Sequence, residues 1–481
     1  MSDTPAPPAR SLFQKIWEGH QVVEGTVAGA TAVLIAIDRV WLHERTGGVA
    51  LAQLEAAGRA VRDPGHVFVT MDHVVDTLPG RGDSTIMPTG GEFIRTTRDA
   101  ARRAGLTLFD IGDERQGIVH VISAEQAVAQ PGLTLVCPDS HTCTQGALGC
   151  LAWGIGSTEA EHALATMTLR LERPRSMRIT IDGELAPGAF AKDLALYIIT
   201  QLGPAGAKGH VIEFAGSGVT ALSLEARMTL CNMAAEMGAF SAIIAPDEKV
   251  FSYLAGRPYA PTGAAWDSAL ADWQALASDP GAVFDAEHRF DAANVSPMIS
   301  WGTNPQQSLA FGQTSASTDS ASQSTQLQRT LDYIGVAAAG EVIGLPIDGA
   351  FIGSCTNARY EDLRAAADVL EGRRVSPGVR AICVPSSGLV KARAEAEGLD
   401  RVFLNAGFEW REPGCSMCFF VGGESFGPNQ RVVSSTNRNF ENRQGPGTRT
   451  HIASPATVAA SAVLGRIASV SELASLREEL A

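Results

Sequence analysis

Short runs of consecutive apolar residues recur along the chain, and most are followed by a polar or glycine-containing loop. The clearest runs cover residues 32–37, 67–70, 132–137, 350–352 and 381–384, and residues 177–181 form a further predicted strand in which apolar and polar residues alternate. Runs without an alternation of apolar and polar residues are typical of strands that are buried on both faces of a sheet. The pattern therefore predicts an α/β protein in which helices cover largely parallel sheets.

Helical periodicity predicts several helices between these runs. An amphipathic segment begins at Phe13, and a helix that starts with a capping box of Thr158 and Glu161 is expected to end near residue 171. Another helix is expected over residues 227–238. Strand–loop–helix units recur in the last third of the chain, which is typical of an α/β domain.

A chain of 481 residues is too long to form a single hydrophobic core. Residues 313–326 are almost entirely Ser, Thr, Ala, Gln and Asp, a composition that predicts a mobile linker or surface loop. We therefore expect a disordered tail at residues 1–12 and three α/β domains, at residues 13–175, 176–320 and 321–481.

The overall composition excludes several classes of protein. The formal net charge of −14 argues against a nucleic-acid-binding protein, because such proteins use clustered positive charge to hold phosphates. Eight cysteines spread over so long a chain do not suggest the disulfide framework of a secreted protein. No segment resembles a signal peptide or a membrane-spanning helix. We expect a cytoplasmic enzyme that binds neither nucleic acid nor membrane.

Two loops that contain aspartate and histidine follow predicted strands. Asp72 and His73 come after the second of the apolar runs, and Asp139, Ser140 and His141 come after the third. Open α/β sheets place their chemistry at the carboxyl ends of strands. An imidazole beside a carboxylate is a suitable proton donor near neutral pH. These loops are therefore candidates for acid–base catalysis.

Two further sets of polar residues have a spacing that suits binding. Asn232 and Glu236 stand four residues apart on one face of the helix predicted at 227–238. Arg438 and Arg443 lie in an asparagine-rich loop, and the planar guanidinium group matches a carboxylate with two hydrogen bonds. From the residues alone, a polar helix face and a surface arginine loop remain open as alternatives.

Three cysteines occur in two short stretches: Cys355 in residues 353–357, and Cys415 with Cys418 in residues 414–418. A structural zinc site takes four ligands, and an electron-transfer iron–sulfur cluster is usually held by four cysteines. Three cysteines would leave a metal with an open position, where it can act as a Lewis acid. The spacing alone also leaves open a redox or zinc site that uses only the Cys-x-x-Cys pair.

The sequences around these residues resemble those of the aconitase superfamily. The motifs that carry the resemblance are FIGSCTN at 351–357, PGCSMC at 413–418 and STNRNF at 435–440. Within the superfamily, the chain is most similar to the large subunit of the two-subunit 3-isopropylmalate dehydratases, over about residues 13–467. The resemblance implies three α/β domains of the aconitase type, packed around a central iron–sulfur cluster, without the mobile fourth (swivel) domain.

The resemblance also implies a role for each candidate residue. Cys355, Cys415 and Cys418 would hold one [4Fe–4S] cluster per chain, whose fourth iron binds the substrate hydroxyl. The catalytic residues would be Asp72 with His73 as the proton donor, and Asp139, His141 and Glu236, which bind water or hydroxyl at the iron. Substrate would be bound by Ser140, Asn232, Asn437, Arg438 and Arg443. The remaining cysteines (Cys137, Cys143, Cys150, Cys231 and Cys383) are expected in the core.

The implied reaction is the dehydration and rehydration of a 2-hydroxy dicarboxylic acid. The first expectation is the isomerisation of 2-isopropylmalate and 3-isopropylmalate through 2-isopropylmaleate, a step of leucine biosynthesis. The chain departs from the usual pattern at residues 45–50 and 419–422, and Val49 stands where a substrate-binding glutamine is usual. We therefore expect Val49 to line the pocket, and maleate, citraconate, dimethylmaleate and homoaconitase-type substrates remain alternatives.

No residue stands out as the base that removes the proton from carbon. In single-chain relatives a serine on the swivel domain does so, and in split relatives that domain is a separate small subunit. Because this sequence ends at Ala481, we expect a partner of that kind, which carries the swivel domain and the catalytic serine.

Overall fold

The computed structural model describes residues 8–27, 30–312 and 325–480. The start of the predicted tail, residues 1–7, and most of the predicted linker at 313–326 lie outside this part of the chain. Within the three described ranges, none of the helices combines the length and the apolar character that crossing a membrane requires.

The described residues form helices in every third of the chain. The α-helices are α1 (Leu12–His20), α2 (Gly47–Ala56), α3 (Gly90–Arg103), α4 (Val119–Glu125), α5 (Ser157–Thr166), α6 (Ala191–Leu202), α7 (Ser217–Ala221), α8 (Leu224–Met233), α9 (Glu248–Leu254), α10 (Ala264–Gln274), α11 (Thr325–Ile334), α12 (Tyr360–Leu370), α13 (Gly388–Ala396), α14 (Leu399–Ala406), α15 (Pro455–Leu464) and α16 (Val470–Leu480). Short 3-10 helices cover Pro64–His66, Thr142–Leu148, Ala234–Met237, Ala292–Asn294, Ala339–Val342 and Ser416–Cys418.

The strands are short, and many are buried along their whole length. They are β1 (Gln21–Val27), β2 (Ala30–Ala36), β3 (Arg39–His43), β4 (Val67–Thr70), β5 (Thr107–Phe109), β6 (Thr134–Cys137), β7 (Leu151–Gly154), β8 (Thr168–Leu171), β9 (Arg175–Asp182), β10 (His210–Ala215), β11 (Ser241–Ile244), β12 (Ala286–Asp291), β13 (Met298–Ser300), β14 (Ser308–Ala310), β15 (Gly349–Ile352), β16 (Arg380–Cys383), β17 (Phe408–Trp410), β18 (Arg431–Ser434) and β19 (Arg449–Ile452).

Three sheets are entirely parallel, as the apolar runs predicted. The first has the strand order β5-β4-β3-β6-β7, the second β11-β10-β9-β12 and the third β17-β16-β15-β18-β19. Each sheet falls within one of the three segments expected to be domains, apart from Arg175, one residue before the expected boundary. The division into domains itself remains a proposal.

The first and third sheets share one topology. In each, the first strand of the unit lies in the centre, the next two lie on one side and the last two on the other. The strand order therefore reverses between β3 and β6, and again between β15 and β18. Loops diverge at such a point and leave a crevice at the carboxyl ends of the strands, where ligands of α/β proteins bind.

The amphipathic start of the chain forms α1, as predicted, but the expected tail is shorter than residues 1–12. Ser11 and Leu12 are both buried. The Ser11 hydroxyl accepts from the Gln14 backbone N–H at 3.2 Å, and the Gln14 side chain accepts from the Ser11 N–H at 2.7 Å. This reciprocal cap satisfies two N–H groups that the first helical turn would otherwise leave unpaired.

The helix expected to end near residue 171 stops at Thr166. Met167 adopts the left-handed conformation (φ 52°), and the four following residues form β8, which pairs with β2. The start of the helix also differs from the prediction. Glu159 Oε2 accepts from the backbone N–H of Gly156 at 2.8 Å, so the cap is formed by Gly156 and Glu159 and not by Thr158 and Glu161. Pairing with a distant strand outweighs the local helical preference here.

The run at 32–37 and the helix at 227–238 also differ from expectation. The first lies largely in β2, an antiparallel strand on which buried and part-buried residues alternate, so it is not buried on both faces. The second ends as α8 at Met233 and continues as a 3-10 turn. Asn232 and Glu236 therefore do not share one α-helical face.

The first two sheets pack around common core residues, which brings the loop after β6 against β11. Gly146, in the 3-10 helix that follows this loop, shows how close the approach is. A Cβ atom built on Gly146 would lie 1.7 Å from the carbonyl oxygen of Ala242 in β11. Only glycine allows this contact, so Gly146 fixes the position of the Asp139–His141 loop against the second sheet.

Candidate active site

The loops at the two points of strand reversal face each other across a cavity of about 240 Å³. Asp139 follows β6, Cys355 follows β15 and Arg438 follows β18. Ten of the thirteen site residues suggested by the sequence line this cavity: His73, Asp139, Ser140, His141, Cys355, Cys415, Cys418, Asn437, Arg438 and Arg443. The other three, Asp72, Asn232 and Glu236, contact residues of the lining from behind.

His73 lies between two carboxylates. Its Nδ1 atom is 2.6 Å from Oδ1 of Asp72, and its Nε2 atom is 3.1 Å from Oδ2 of Asp139. Burial alone would lower the pKa of His73, but the two carboxylates raise it well above the ordinary value. His73 is therefore an imidazolium with a proton on each ring nitrogen near neutral pH.

Asp139 is the centre of a second set of contacts. Its Oδ1 atom accepts from His120 Nε2 at 2.8 Å and from the backbone N–H of His141 at 2.7 Å. Burial would raise the pKa of this carboxyl group, but the histidines around it lower that pKa well below the ordinary value. Asp139 is therefore an ionised carboxylate on the cavity wall.

The loop of Asp72 and His73 is held by Glu44, which the sequence analysis did not single out. The Glu44 carboxylate accepts from the backbone N–H groups of Asp72 at 3.0 Å, Val75 at 3.1 Å and Val74. His43, Glu44, Asp72 and His73 could bring four ligand atoms within 4.8 Å of one another, as in a metal site. Because the Glu44 oxygens already accept these three N–H groups, we assign Glu44 to positioning the loop.

His43 and His120 also line the cavity and were missed by the sequence analysis. The ring of His43 is stacked on that of His73, with 4.0 Å between centroids. Burial lowers the pKa of His43 to about 4, which keeps it neutral against the charged ring. His120 lies in α4 and no motif marks it. The adjacent pair His43-Glu44 at the end of a strand was the available signal.

A second chain of contacts runs along the opposite wall. His141 Nε2 lies 2.8 Å from Oε1 of Glu236, and the same oxygen accepts from Arg438 Nε at 2.8 Å. Arg438 Nη1 also donates to the Ser140 hydroxyl at 3.0 Å. Burial would raise the pKa of Glu236, but His141 and Arg438 lower it. The ionised Glu236, which follows α8, therefore links the loop after β6 in the first sheet to the loop after β18 in the third sheet.

The three cysteines lie close together in a buried cluster with Ile118 and Val121. Each is 8% exposed or less. Ser354 and Ser416, which adjoin cysteines, have φ angles of 81° and 50°. Non-glycine residues rarely adopt this conformation, and such strain tends to collect at functional sites. These turns direct the three sulfur atoms into one cavity.

The surroundings of Cys355 fit a metal-bound thiolate. The side-chain N–H groups of Asn232 and Asn437 point at Cys355 Sγ, at 3.2 and 3.4 Å. Burial raises the pKa of the Cys355 thiol to about 11, so a thiolate there needs a nearby cation. In addition, Asn437 Oδ1 and Arg443 Nε are buried without a hydrogen-bond partner among the described residues. Three thiols with such donors around them suit an iron–sulfur cluster.

The other cysteines are buried outside the cavity lining, in line with the expectation of core packing. Cys143, the one nearest to His141 in sequence, donates to the carbonyl oxygen of Cys231 at 3.2 Å. Burial is the main cause that raises the pKa of Cys143 to about 12. Cys143 is therefore a neutral thiol whose hydrogen bond links the 3-10 helix at Thr142–Leu148 to helix α8.

Val49 is not where the sequence placed it. It is 46% exposed in α2 and is not among the residues that line the cavity. The reversal of the chain at the start of α2 instead directs Arg45 and Thr46 to the cavity. The expectation for Val49 is therefore wrong, whereas that for residues 419–422 is supported by Phe419, which lines the cavity.

Comparisons with known proteins give one family and two solved structures to which this chain is similar. The model of the aconitase family (aconitate hydratase) matches residues 14–465. Among solved structures, the chain is similar to the holo-form of aconitase X from Thermococcus kodakaraensis, at 13% identity over 84% of each chain, with a TM-score of 0.44. It is also matched to histidinol dehydrogenase from Elizabethkingia anophelis, at 10% identity over 58% of this chain and 61% of that one, with a TM-score of 0.15.

The family match spans nearly the whole chain. The mixed α/β fold with its parallel sheets is of the aconitase type, as the sequence predicted. This protein belongs to the aconitase family.

Proposed function

We propose that this chain is the large subunit of an iron–sulfur hydro-lyase that removes water from, and returns it to, a 2-hydroxy di- or tricarboxylic acid. The observation that carries the proposal is the convergence of His73, Asp139 and three cysteines on one cavity. Such a reaction needs a Lewis acid for the hydroxyl group, a proton donor for the departing water and cations for the carboxylates.

Members of the aconitase family typically bind an iron–sulfur cluster. In this chain Cys355, Cys415 and Cys418 would hold one [4Fe–4S] cluster. When bound, a cluster held by three cysteines supplies an iron without a protein ligand, which can act as a Lewis acid on a hydroxyl group.

The proton for the departing hydroxyl would come from His73. Its two carboxylate partners keep it charged, and Asp72 holds the ring in place from a fully buried position. Asp139, His141 and Glu236 lie along the same wall and would orient the water that leaves and returns. A donor that is already protonated and held in place needs no large rearrangement before proton transfer.

Carboxylate groups of the substrate would be held by Arg438 and Arg443. Arg438 keeps donors available beyond those bonded to Glu236 and Ser140, because a guanidinium group carries five N–H bonds. Asn437 and Ser140 would add hydrogen bonds at the cavity wall, and Asn232 would act through Cys355.

The base that removes the proton from carbon would come from a partner. Two serines line the cavity, but Ser140 accepts from Arg438, and Ser354 lies 3.9 Å from Cys355 Sγ. Ser140 also lies 3.3 Å from His141 Nδ1, but its contact with Arg438 and the sequence resemblance both assign it to substrate binding. We therefore propose a small subunit that carries the swivel domain and supplies a serine. We also propose the cytoplasm as the compartment, because its reducing conditions would preserve an iron–sulfur cluster.

We propose isopropylmalate isomerisation, and with it leucine biosynthesis, as the first candidate reaction, because the motifs of the chain resemble those of 3-isopropylmalate dehydratases. Hydration of maleate, citraconate or dimethylmaleate and a homoaconitase-type reaction use the same chemistry on other carbon skeletons. Which of these acids is the substrate depends on the cavity wall that contacts the part of the carbon skeleton in which they differ.

The test is turnover by anaerobically purified protein, alone and together with a candidate small subunit encoded beside it or co-purified with it. We expect about four irons and four sulfides per chain, little activity alone, and restored activity on at least one 2-hydroxy acid with the partner. Zinc in place of iron would overturn the proposed cluster. Rapid turnover by the chain alone would overturn the proposed small subunit.

A further inference from the structure

Lys192 is a buried cation that the proposed reaction does not use. It is the second residue of α6, its side chain is fully buried, and it does not line the cavity. Among the described residues, the lysines that form ion pairs are Lys15 and Lys391, so Lys192 has no carboxylate partner. Burial lowers the pKa of Lys192 to about 7. An apolar side chain of the same length would serve core packing better.

The ammonium group of Lys192 binds the main chain of the loop after β18. Its Nζ atom donates to the carbonyl oxygens of Ser435 at 3.0 Å and Thr436 at 2.9 Å. Hydrogen bonds from a charged donor are stronger than those between neutral groups. Lys192 therefore fixes the two peptide groups that come directly before Asn437 and Arg438, and both of these residues line the cavity.

The same loop is tied to the loop of Cys355. The Ser435 hydroxyl accepts from the backbone N–H of Gly353 at 3.0 Å. Two residues further along the chain, the side-chain N–H of Asn437 points at Cys355 Sγ at 3.4 Å. A shift of the main chain at Ser435 would therefore change the length and the angle of the contact between Asn437 and the sulfur.

The start of α6 gives Lys192 a fixed position. Asp193, the next residue, accepts from the backbone N–H of Met298 in β13 at 2.8 Å. Strand β13 also holds the far end of the loop, because the side chain of Asn439 donates to the Ser300 hydroxyl at 3.0 Å. The loop after β18 is thus held at both ends by α6 and β13, two elements that are joined to each other.

We propose that Lys192 is a positioning residue, which sets the loop after β18 so that Asn437 donates to the sulfur of Cys355. The inference rests on the proposed function and deepens it, because this sulfur is one of the three that would hold the cluster. Hydrogen bonds to cysteine sulfur tune the reduction potential of an iron–sulfur cluster. Lys192 would act on the cluster through Asn437, without contact to substrate.

Hydrogen exchange of the purified chain measures the positioning directly and does not depend on turnover. Lys192→Met keeps a long unbranched side chain but removes the donors to both carbonyl oxygens. Amide exchange in residues 434–438 should become roughly tenfold faster or more, while exchange elsewhere in the third sheet stays the same. Lys192→Gln, which keeps N–H donors without the charge, should lie between the wild type and Lys192→Met.

Lys249 offers a matched control, because it also donates to consecutive carbonyl oxygens. Its Nζ atom lies 2.7, 3.0 and 2.8 Å from the carbonyl oxygens of residues 220–222. The residue is exposed and does not line the cavity. Lys249→Met should therefore speed exchange only near residues 220–222 and leave residues 434–438 as in the wild type.

A double-mutant cycle on the reduction potential of the anaerobic, iron-loaded chain tests the step from the loop to the cluster. Lys192→Met and Asn437→Ala should each shift the potential to a more negative value, because each weakens the N–H contact to sulfur. Since Lys192 acts through Asn437, Lys192→Met should add little to the shift when Asn437 is already alanine. A lysine that acts through its charge alone would give additive shifts.

Additive shifts, or unchanged exchange at residues 434–438 in Lys192→Met, would overturn the inference. A lower midpoint of urea denaturation without a change in potential would mean that Lys192 only stabilises the fold, and would overturn it too. If Lys192→Met fails to fold, Lys192→Gln takes its place in both measurements. A chain without iron would refute the proposed cluster, and hydrogen exchange would still decide whether Lys192 positions the loop.

Discussion

The Nε2 atom of His73 lies 3.1 Å from Oδ2 of Asp139, although 66 positions separate the two residues in the sequence. The loops that carry them follow β4 and β6, which flank β3 on opposite sides in the first sheet. The contact therefore joins loops from the two sides of the point where the strand order reverses. It places the charged imidazole beside an ionised carboxylate at the cavity wall.

Replacement of His73 by glutamine should lower turnover about 10²- to 10⁴-fold, the usual contribution of a general acid, while the iron content stays unchanged. His66 provides a matched control, because its Nδ1 atom lies 2.6 Å from Asp63 on the surface. His66→Gln should have the activity of the wild type. Steady-state rates of the reconstituted enzyme check both, and an active His73→Gln protein would refute the assignment.

Replacement of Cys355, Cys415 or Cys418 by alanine should abolish the brown absorbance and the bound iron, since each would remove one of only three ligands. Cys383 provides the control: it is buried in the core of the third sheet and does not line the cavity. Cys383→Ala should keep both properties. Iron analysis and visible absorbance of the anaerobic proteins decide this, and a Cys355→Ala protein with full iron content would contradict the ligand set.

Replacement of Arg359 by methionine should destabilise the loop of Cys355. The Arg359 side chain is 2% exposed and donates to the carbonyl oxygens of Cys355 at 2.8 Å, Glu225 at 3.0 Å and Thr356. Methionine would remove the side-chain donor to the carbonyl oxygen of Cys355 and the cation beside the part-buried Asp362, whereas Thr229 would still donate to the carbonyl oxygens of Glu225 and Thr356. We expect a cost of about 3–5 kcal/mol in the free energy of unfolding. The same change at the exposed Arg374 should have little effect. Urea denaturation monitors both, and equal stability of the two variants would refute this role.

Glu125 should make stability depend on pH. Its Oε1 accepts from Ser387 at 2.8 Å, Oε2 is buried without a partner among the described residues, and burial raises its pKa from 4.5 to about 7. The folded state thus holds a proton that the unfolded state releases between these values, so stability falls as pH rises from about 4.5 to 7. Glu125→Gln cannot ionise, and between pH 4.5 and 8 it should gain roughly 2–3 kcal/mol relative to wild type.

Urea titrations at several pH values measure this difference. Glu172→Gln, at an exposed position, is the control and should follow the wild type at each pH. A constant difference between Glu125→Gln and the wild type across this range would show that Glu125 does not titrate as its burial implies.

Much of the fold could be predicted from the sequence because its central strands are short, apolar and followed by polar loops. Strand β4 and the end of β6 were placed correctly, since burial on both faces of a parallel sheet leaves a local signal. The strand at 168–171 was missed because it pairs with β2, which is more than a hundred residues away. No local pattern records such a partner.

By itself, the sequence determined the α/β class, the loops that carry Asp72, His73 and Asp139, and the three cysteines with their unusual number. Only the tertiary structure decided that His120 binds Asp139, that Glu44 holds the Asp72 loop, and that Arg45 rather than Val49 reaches the cavity. The reason is physical: residue type and spacing are local, whereas these contacts depend on how three sheets pack and on the direction in which each loop leaves its strand.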